Sequence, residues 1–151
     1  LPDLPATRAV DYPALRLGPR REVEKRVPRA QPVWKLFTTG AAGSQGLMGQ
    51  PMLHRLCQTP GVAVWPFDRF DAPVVVAEVY PSLLAAAVRR DPATIKDEAQ
   101  VRLLARALFH LSQQGKLDQL LDLPAHGDWV EEGWILAAGH GDLLEQGLSC
   151  G

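Results

Sequence analysis

The sequence predicts an α/β fold, and three observations carry that reading. Two short β-branched runs, Val62-Ala63-Val64-Trp65 and Val74 to Val79, are each followed closely by a proline, as strands entering turns are. From about Lys96 to Gln114, Val101, Leu104, Leu108 and Leu111 recur at helical spacing, with Gly115 as a natural stop. Glycine and proline punctuate the segments between. With 151 residues, 46% apolar and 22% charged, the chain has the length and composition of one domain with one hydrophobic core.

Residues 1 to 32 form the first unit of the reading. Pro2, Pro5, Pro13, Pro19, Pro28 and Pro32 exclude a long helix or a central strand over most of this stretch, which is expected to be an extended arm or linker. The Pro-free run Arg20 to Val27 has room for two helical turns. Arg16, Arg20, Arg21, Lys25, Arg26 and Arg29 outnumber Glu22 and Glu24, so the arm is locally basic. A start at Leu1 inside this stretch reads as a fragment of a longer chain.

Residues 33 to 151 form the second unit. Val33 to Thr38 is apolar, and Gly40, Gly43, Gly46 and Gly49 then predict a glycine-rich turn. Ser44 is placed to cap a helix towards Leu56, with Met52, Leu53 and Leu56 as its apolar face. After the two strands, Ser82 is placed to cap a short Leu/Ala helix to about Val88. A second short helix is expected over Leu117 to Leu123, and a last strand around Trp134, Ile135 and Leu136.

Composition excludes several functions. A net charge of −1 gives no global attraction to nucleic acid or anionic lipid, so any such contact rests on a local patch. Cys57 and Cys150 stand apart and match no zinc spacing, which fits a reducing cytoplasm. No apolar run approaches the roughly 20 residues of a membrane span, and no signal sequence is visible. The four histidines lack HxH or HExxH spacing, and the glycine segment lacks the Lys-Ser/Thr ending of a P-loop and does not match GxGxxG.

Two acids stand out because each sits in an apolar element, where an ionised carboxylate needs a partner, a metal or solvent. Period two along Val74 to Tyr80 places Glu78 on one face with Val74 and Val76, near the strand's C-terminal end, where ligand crevices form in open α/β sheets. The competing reading is a solvated strand-end Glu or one paired with an Arg. Asp97 lies four and seven residues before Val101 and Leu104, in line with the helix's apolar stripe. An acid in a first helical turn also opposes the helix dipole, which is the plainer explanation. Two such carboxylates converging would suit Mg²⁺ or Mn²⁺, hard ions that prefer oxygen and can activate water in phosphodiester cleavage. Arg20, Arg21, Lys25 and Arg26, with Trp34 just beyond, are the residues able to track a phosphate backbone, and a solvated arm explains them equally. Trp65 and Trp134 sit in apolar surroundings and are expected in the core rather than as stacking platforms.

Five blocks in order, Gly43-Ser44-Gln45 to Leu56, Val64-Trp65-Pro66-Phe67, Ala77-Glu78-Val79-Tyr80-Pro81-Ser82, Lys96-Asp97 and Glu132-Gly133-Trp134-Ile135, resemble a bacterial family of predicted ribonuclease-H-like nucleases. The chain looks closest to a proteobacterial subgroup labelled as molybdopterin-guanine dinucleotide biosynthesis proteins. The resemblance implies the C-terminal portion of a ribonuclease-H-like α/β domain, with a mixed sheet and flanking helices. It implies divalent metal at Glu78, which matches the glutamate of the family's strand motif, and at Asp97, which matches the aspartate of its late helix. An aspartate on the family's first strand has no match here, and Asp97 is followed by Glu98-Ala99-Gln100 where many relatives carry a second aspartate.

Three functions follow as expectations. The first is a metal-dependent nuclease or phosphodiesterase acting on nucleic acid or a nucleotide, with Glu78 and Asp97 catalytic. The second is a part in molybdenum-cofactor nucleotide chemistry, and the third a non-catalytic binding domain that keeps the fold. Pairing of two copies through an exposed strand edge belongs to the same set of expectations.

Overall fold

The computed structural model describes residues 19–37, 40–68 and 71–149. It is a mixed α/β structure in which helix outweighs strand. In order, the elements are α1 (Glu22–Arg26), α2 (Gly43–Cys57), β1 (Val62–Val64), β2 (Val74–Val76), a 3₁₀ turn (Pro81–Leu84), α3 (Ala85–Arg90), α4 (Lys96–Gln113), a second 3₁₀ turn (Leu117–Leu121), α5 (Trp129–Glu132) and α6 (Gly141–Ser149).

Two β-branched runs make the sheet. β1 and β2 pair in parallel, with Val62, Ala63 and Val64 opposite Val74, Val75 and Val76. The strand expected to reach Val79 is regular only to Val76. Beyond it Glu78 makes a single parallel bridge to Ile135, which is all that forms of the last strand expected there.

α4 is the long helix the periodicity predicts, and Gly115 ends it in the left-handed conformation at φ 66°, with the Lys116 N–H returning to the Leu111 carbonyl at 2.9 Å. Its phase differs from the one read in the sequence. Ala99, Leu103, Leu104, Ala107 and Leu111 are buried, whereas Val101 is 67% exposed and Asp97 is exposed with it. The small residue Ala107 lies on the inward face where α6 crosses closely: a Cβ added to Gly147 would lie 2.7 Å from the Ala107 carbonyl oxygen.

Other local expectations shift as well. Helix α2 begins at Gly43 with Ala42 as its N-cap, not Ser44, and takes in Gly43, Gly46 and Gly49 of the segment expected to be a glycine-rich turn, while Gly40 stays in a turn before it at φ 80°. Of the face expected to be apolar and inward, Leu53 is half-buried, while Met52 and Leu56 are exposed together with Leu47 and Met48. Gly43 is required where it stands, since a Cβ there would meet the Val33 carbonyl oxygen at 2.3 Å. Tyr80, not Ser82, precedes the 3₁₀ turn that leads into α3, and Leu117–Leu121 is 3₁₀ rather than α.

Two apolar clusters hold the described residues together. The larger joins Leu84, Val88, Ala99, Leu104, Ala107, Leu111, Leu120 and Leu144, mainly from α3, α4 and α6. The smaller joins Val23, Val27 and Ala30 to Trp65, Trp134 and Ile135. Residues 19–32, read from the sequence as part of an arm, therefore supply core. Val23 is fully buried in α1, and Val27 and Ala30 join it from beyond the end of that helix, so no helical repeat marks the three together. Residues 1–18 of the expected arm lie outside the described residues.

Candidate functional site

Glu78 is positioned where β2's line continues to Ile135, at the rim of the smaller cluster. Its carboxylate meets Arg21 from α1's N-cap. Arg21 Nη1 donates to Glu78 Oε2 at 2.7 Å and Nη2 donates to Oε1 at 2.8 Å, a bidentate pair. The Arg21 side chain is only 6% exposed, against 43% for Glu78, so the cation is buried and the anion reaches the surface.

Glu24 holds the other side of the guanidinium. Its side chain is fully buried, and it accepts from Arg21 Nε at 2.7 Å, from the Arg21 backbone N–H at 3.0 Å and from the Val33 N–H at 2.8 Å. Arg21 Nη1 also reaches the Glu132 carbonyl at 3.3 Å, and the Glu132 carboxylate accepts the Glu22 N–H at 2.7 Å. One guanidinium thus ties α1, the end of α5 and the strand-end acid into a single network. Burial by itself would lower the Arg21 pKa, but the hydrogen bonds and charges of Glu78 and then Glu24 outweigh it and raise it above the ordinary value.

The four basic residues expected to meet nucleic acid are placed differently from one another. Arg21 is withdrawn into the network, unlike the surface contact read from the sequence: its buried guanidinium directs four of its five N–H groups to Glu24, Glu78 and the Glu132 carbonyl. Arg20 Nη1 donates to the Ala30 carbonyl at 2.8 Å. Lys25 and Arg26 share the Glu22 carboxylate at 3.2 and 3.1 Å, and Arg26 lies 5.4 Å from the centroid of the Trp134 ring. The local positive charge of the sequence is therefore offset in part, Glu24 and Glu78 serving Arg21 and the single Glu22 serving Lys25 and Arg26.

Asp97 stands exposed in the first turn of α4, the placement that the helix dipole favours. Its expected alignment with a buried stripe fails because Val101 is itself exposed. Among the described residues, no three or more His, Cys, Asp or Glu side chains gather as a metal-holding group. Both Glu78 oxygens accept from Arg21, and Asp97 stands on an exposed helix turn, so each acid has a structural setting of its own.

Two amides of the glycine segment are paired within the chain. The Gly43 N–H donates to the Lys35 carbonyl at 3.2 Å and the Gly46 N–H to the Ala42 carbonyl at 2.9 Å, so these amides are consumed by the chain itself. Trp65 and Trp134 are core residues as expected, 2% and 3% exposed. No described helix is long and apolar enough to cross a membrane.

Glu24 and Glu132 are the members of the network that sequence reasoning missed. Arg21 and Glu24 stand three apart at the start of a Pro-free basic run, the spacing of a helix-capping acid, and that was the available signal. Glu132 heads the Glu132-Gly133-Trp134-Ile135 block of the family resemblance, but no role for its side chain is read from that block. Compared with known proteins, the chain matches no protein-family model, no curated protein and no solved structure.

Proposed function

We propose that this chain is a portion of a ribonuclease-H-like α/β domain that acts as a non-catalytic binding module, the strand-end acid of the nuclease-like family serving here as a structural ion pair. The observation that carries this reading is the bidentate Arg21–Glu78 contact. The negative charge of Glu78 is already compensated by this buried guanidinium, so a divalent cation approaching its remaining lone pairs would meet the Arg21 charge beside it. The exposed position of Asp97 supports the same reading, because it brings no second carboxylate into the network.

The competing reading is a metal-dependent nuclease or phosphodiesterase with Glu78 and Asp97 as its acids. Incubation of the chain with labelled DNA, RNA and hybrid in Mn²⁺, beside Asp97→Asn, separates the two. The binding-module reading predicts no cleavage by either protein. Cleavage by the parent that is lost in Asp97→Asn would overturn it in favour of a nuclease. Saturable binding of a guanine nucleotide in a parallel titration would instead favour molybdenum-cofactor nucleotide chemistry.

A further inference from the structure

Helix α2 is apolar on the side that faces away from the fold. Its inward side is made by Gly43, Leu53 and Cys57, the residues of the helix that are buried or half-buried. The rest of the helix is exposed and includes Leu47, Met48, Met52 and Leu56, with Met48 and Met52 82% and 69% exposed. Met48, Met52 and Leu56 recur at every fourth residue and form one stripe. A surface helix turns its apolar stripe inward and its charges outward, and α2 reverses that rule. Just before it, Trp34 and Phe37 are exposed as well, on a segment whose Val33 and Lys35 carbonyls lie close against Gly43. An open apolar patch of this kind marks an interaction surface.

Charge around the patch specifies what covers it. Between Glu24 and Asp68 the chain has no Asp or Glu, whereas Lys35 and Arg55 border the exposed apolar residues. Arg55 stands seven residues after Met48 and three after Met52, on their face of the helix. It is exposed and forms no ion pair with a described residue, and Lys35 donates to the neutral Gln31 side chain at 2.9 Å. We infer that this face of α2 receives an acidic amphipathic helix of another protein, whose apolar side chains lie over Met48, Met52 and Leu56 while a carboxylate meets Arg55. Methionine suits that role because its unbranched thioether adapts to the partner's shape. A second copy of the same patch would bring cations and no counter-charge. An anionic membrane is met by clusters of roughly four to eight Lys or Arg, and this face has Lys35 and Arg55. Residues 1–18 hold Asp3 and Asp11 against Arg8 and Arg16 and offer no net negative charge. The inference gives a partner to the binding-module reading and rests on it, but its test reads α2 and not Glu78.

Fluorescence anisotropy of a labelled synthetic amphipathic helix of Leu, Ala and Glu, titrated with the whole chain, tests it. The same peptide with Lys in place of Glu, and vesicles of phosphatidylserine and phosphatidylcholine, run alongside. The expected result is saturable binding of the acidic peptide that weakens by roughly tenfold in the double variant Met48→Ser, Met52→Ser, as loss of two apolar contacts implies. Arg55→Gln should weaken it less and remove most of its salt dependence, and Phe109→Ser, at an equally open apolar position on α4, should leave it unchanged. All four substituted side chains are exposed, so the parent's circular dichroism spectrum should be kept. No saturable binding of the acidic peptide would overturn the inference, as would equal binding of the Lys peptide or binding that survives the double methionine variant. Binding to the vesicles in place of the peptide would overturn it in favour of a membrane surface, and self-association of the parent lost in the methionine variant in favour of a second copy. Mn²⁺-dependent cleavage of nucleic acid with peptide binding intact would instead remove the non-catalytic reading alone.

Discussion

Arg21 and Glu78, separated by 57 positions in the chain, meet through two parallel hydrogen bonds of 2.7 and 2.8 Å. The pair is asymmetric, because the guanidinium is buried and also serves Glu24, whereas the Glu78 carboxylate is partly open to solvent. Losing one partner is therefore not equivalent to losing the other.

Arg21→Ala leaves the fully buried Glu24 carboxylate without its cation and should lower stability by about 3–5 kcal/mol, the usual effect of breaking a buried pair from one side. Glu78→Gln leaves Arg21 with Glu24 and with solvent at the opened side, and about 1 kcal/mol is expected. Urea unfolding midpoints check the order. Equal losses, or a larger loss for Glu78→Gln, would show that the network is not organised around Arg21.

Glycines in α2 and α6 divide by what surrounds them. Gly46 and Gly49 have open space where a Cβ would go, so alanine at either should stabilise by about 1 kcal/mol through helix propensity. Gly43→Ala and Gly147→Ala drive a methyl into backbone oxygen and should destabilise, the first by displacing the Val33–Lys35 segment and the second by prising α6 from α4. Thermal melts of the four variants should show opposite signs for the two pairs.

Acid titration of stability has a defined direction. Hydrogen bonds from Arg26 and then Lys25 hold the Glu22 carboxyl below its ordinary 4.5, and the Ala93 N–H followed by Arg102 holds Asp91 below its ordinary 3.8. A depressed pKa gives a contribution that is complete above the unfolded value and disappears as pH falls through the folded value. Stability should therefore decline as pH drops below 4.5, and Asp91→Asn should flatten part of that decline. Arg21, whose pKa is raised, loses nothing at acid pH on its own account, since a raised group gives way only as pH rises through its folded value. Urea unfolding repeated across the acid range, for the parent and for Asp91→Asn, checks both statements.

Much of the fold is legible in residue pattern. The β-branched runs at Val62 and Val74 form the sheet, the Leu-rich stretch before Gly115 forms α4, and Trp65 and Trp134 are core. What the pattern misplaces has physical causes. Helix α4 turns Ala99 and Ala107 inward, with α6 passing closely at Ala107 and Gly147, and two small residues signal that face weakly beside four large apolar ones. Glu78 is recognisable as an acid in need of a partner, but that partner lies in a proline-rich segment whose composition reads as an arm. Its burial depends on Val23, Val27 and Ala30 packing against tryptophans far along the chain. Such contacts leave no local periodicity to read.

Titration calorimetry of the chain with Mn²⁺ tests the central claim most directly, with Glu78→Gln as the companion. If Glu78 is the structural partner of Arg21, neither protein should give saturable heat. Saturable binding by the parent that disappears in Glu78→Gln would contradict the account and make Glu78 a metal ligand that Arg21 releases.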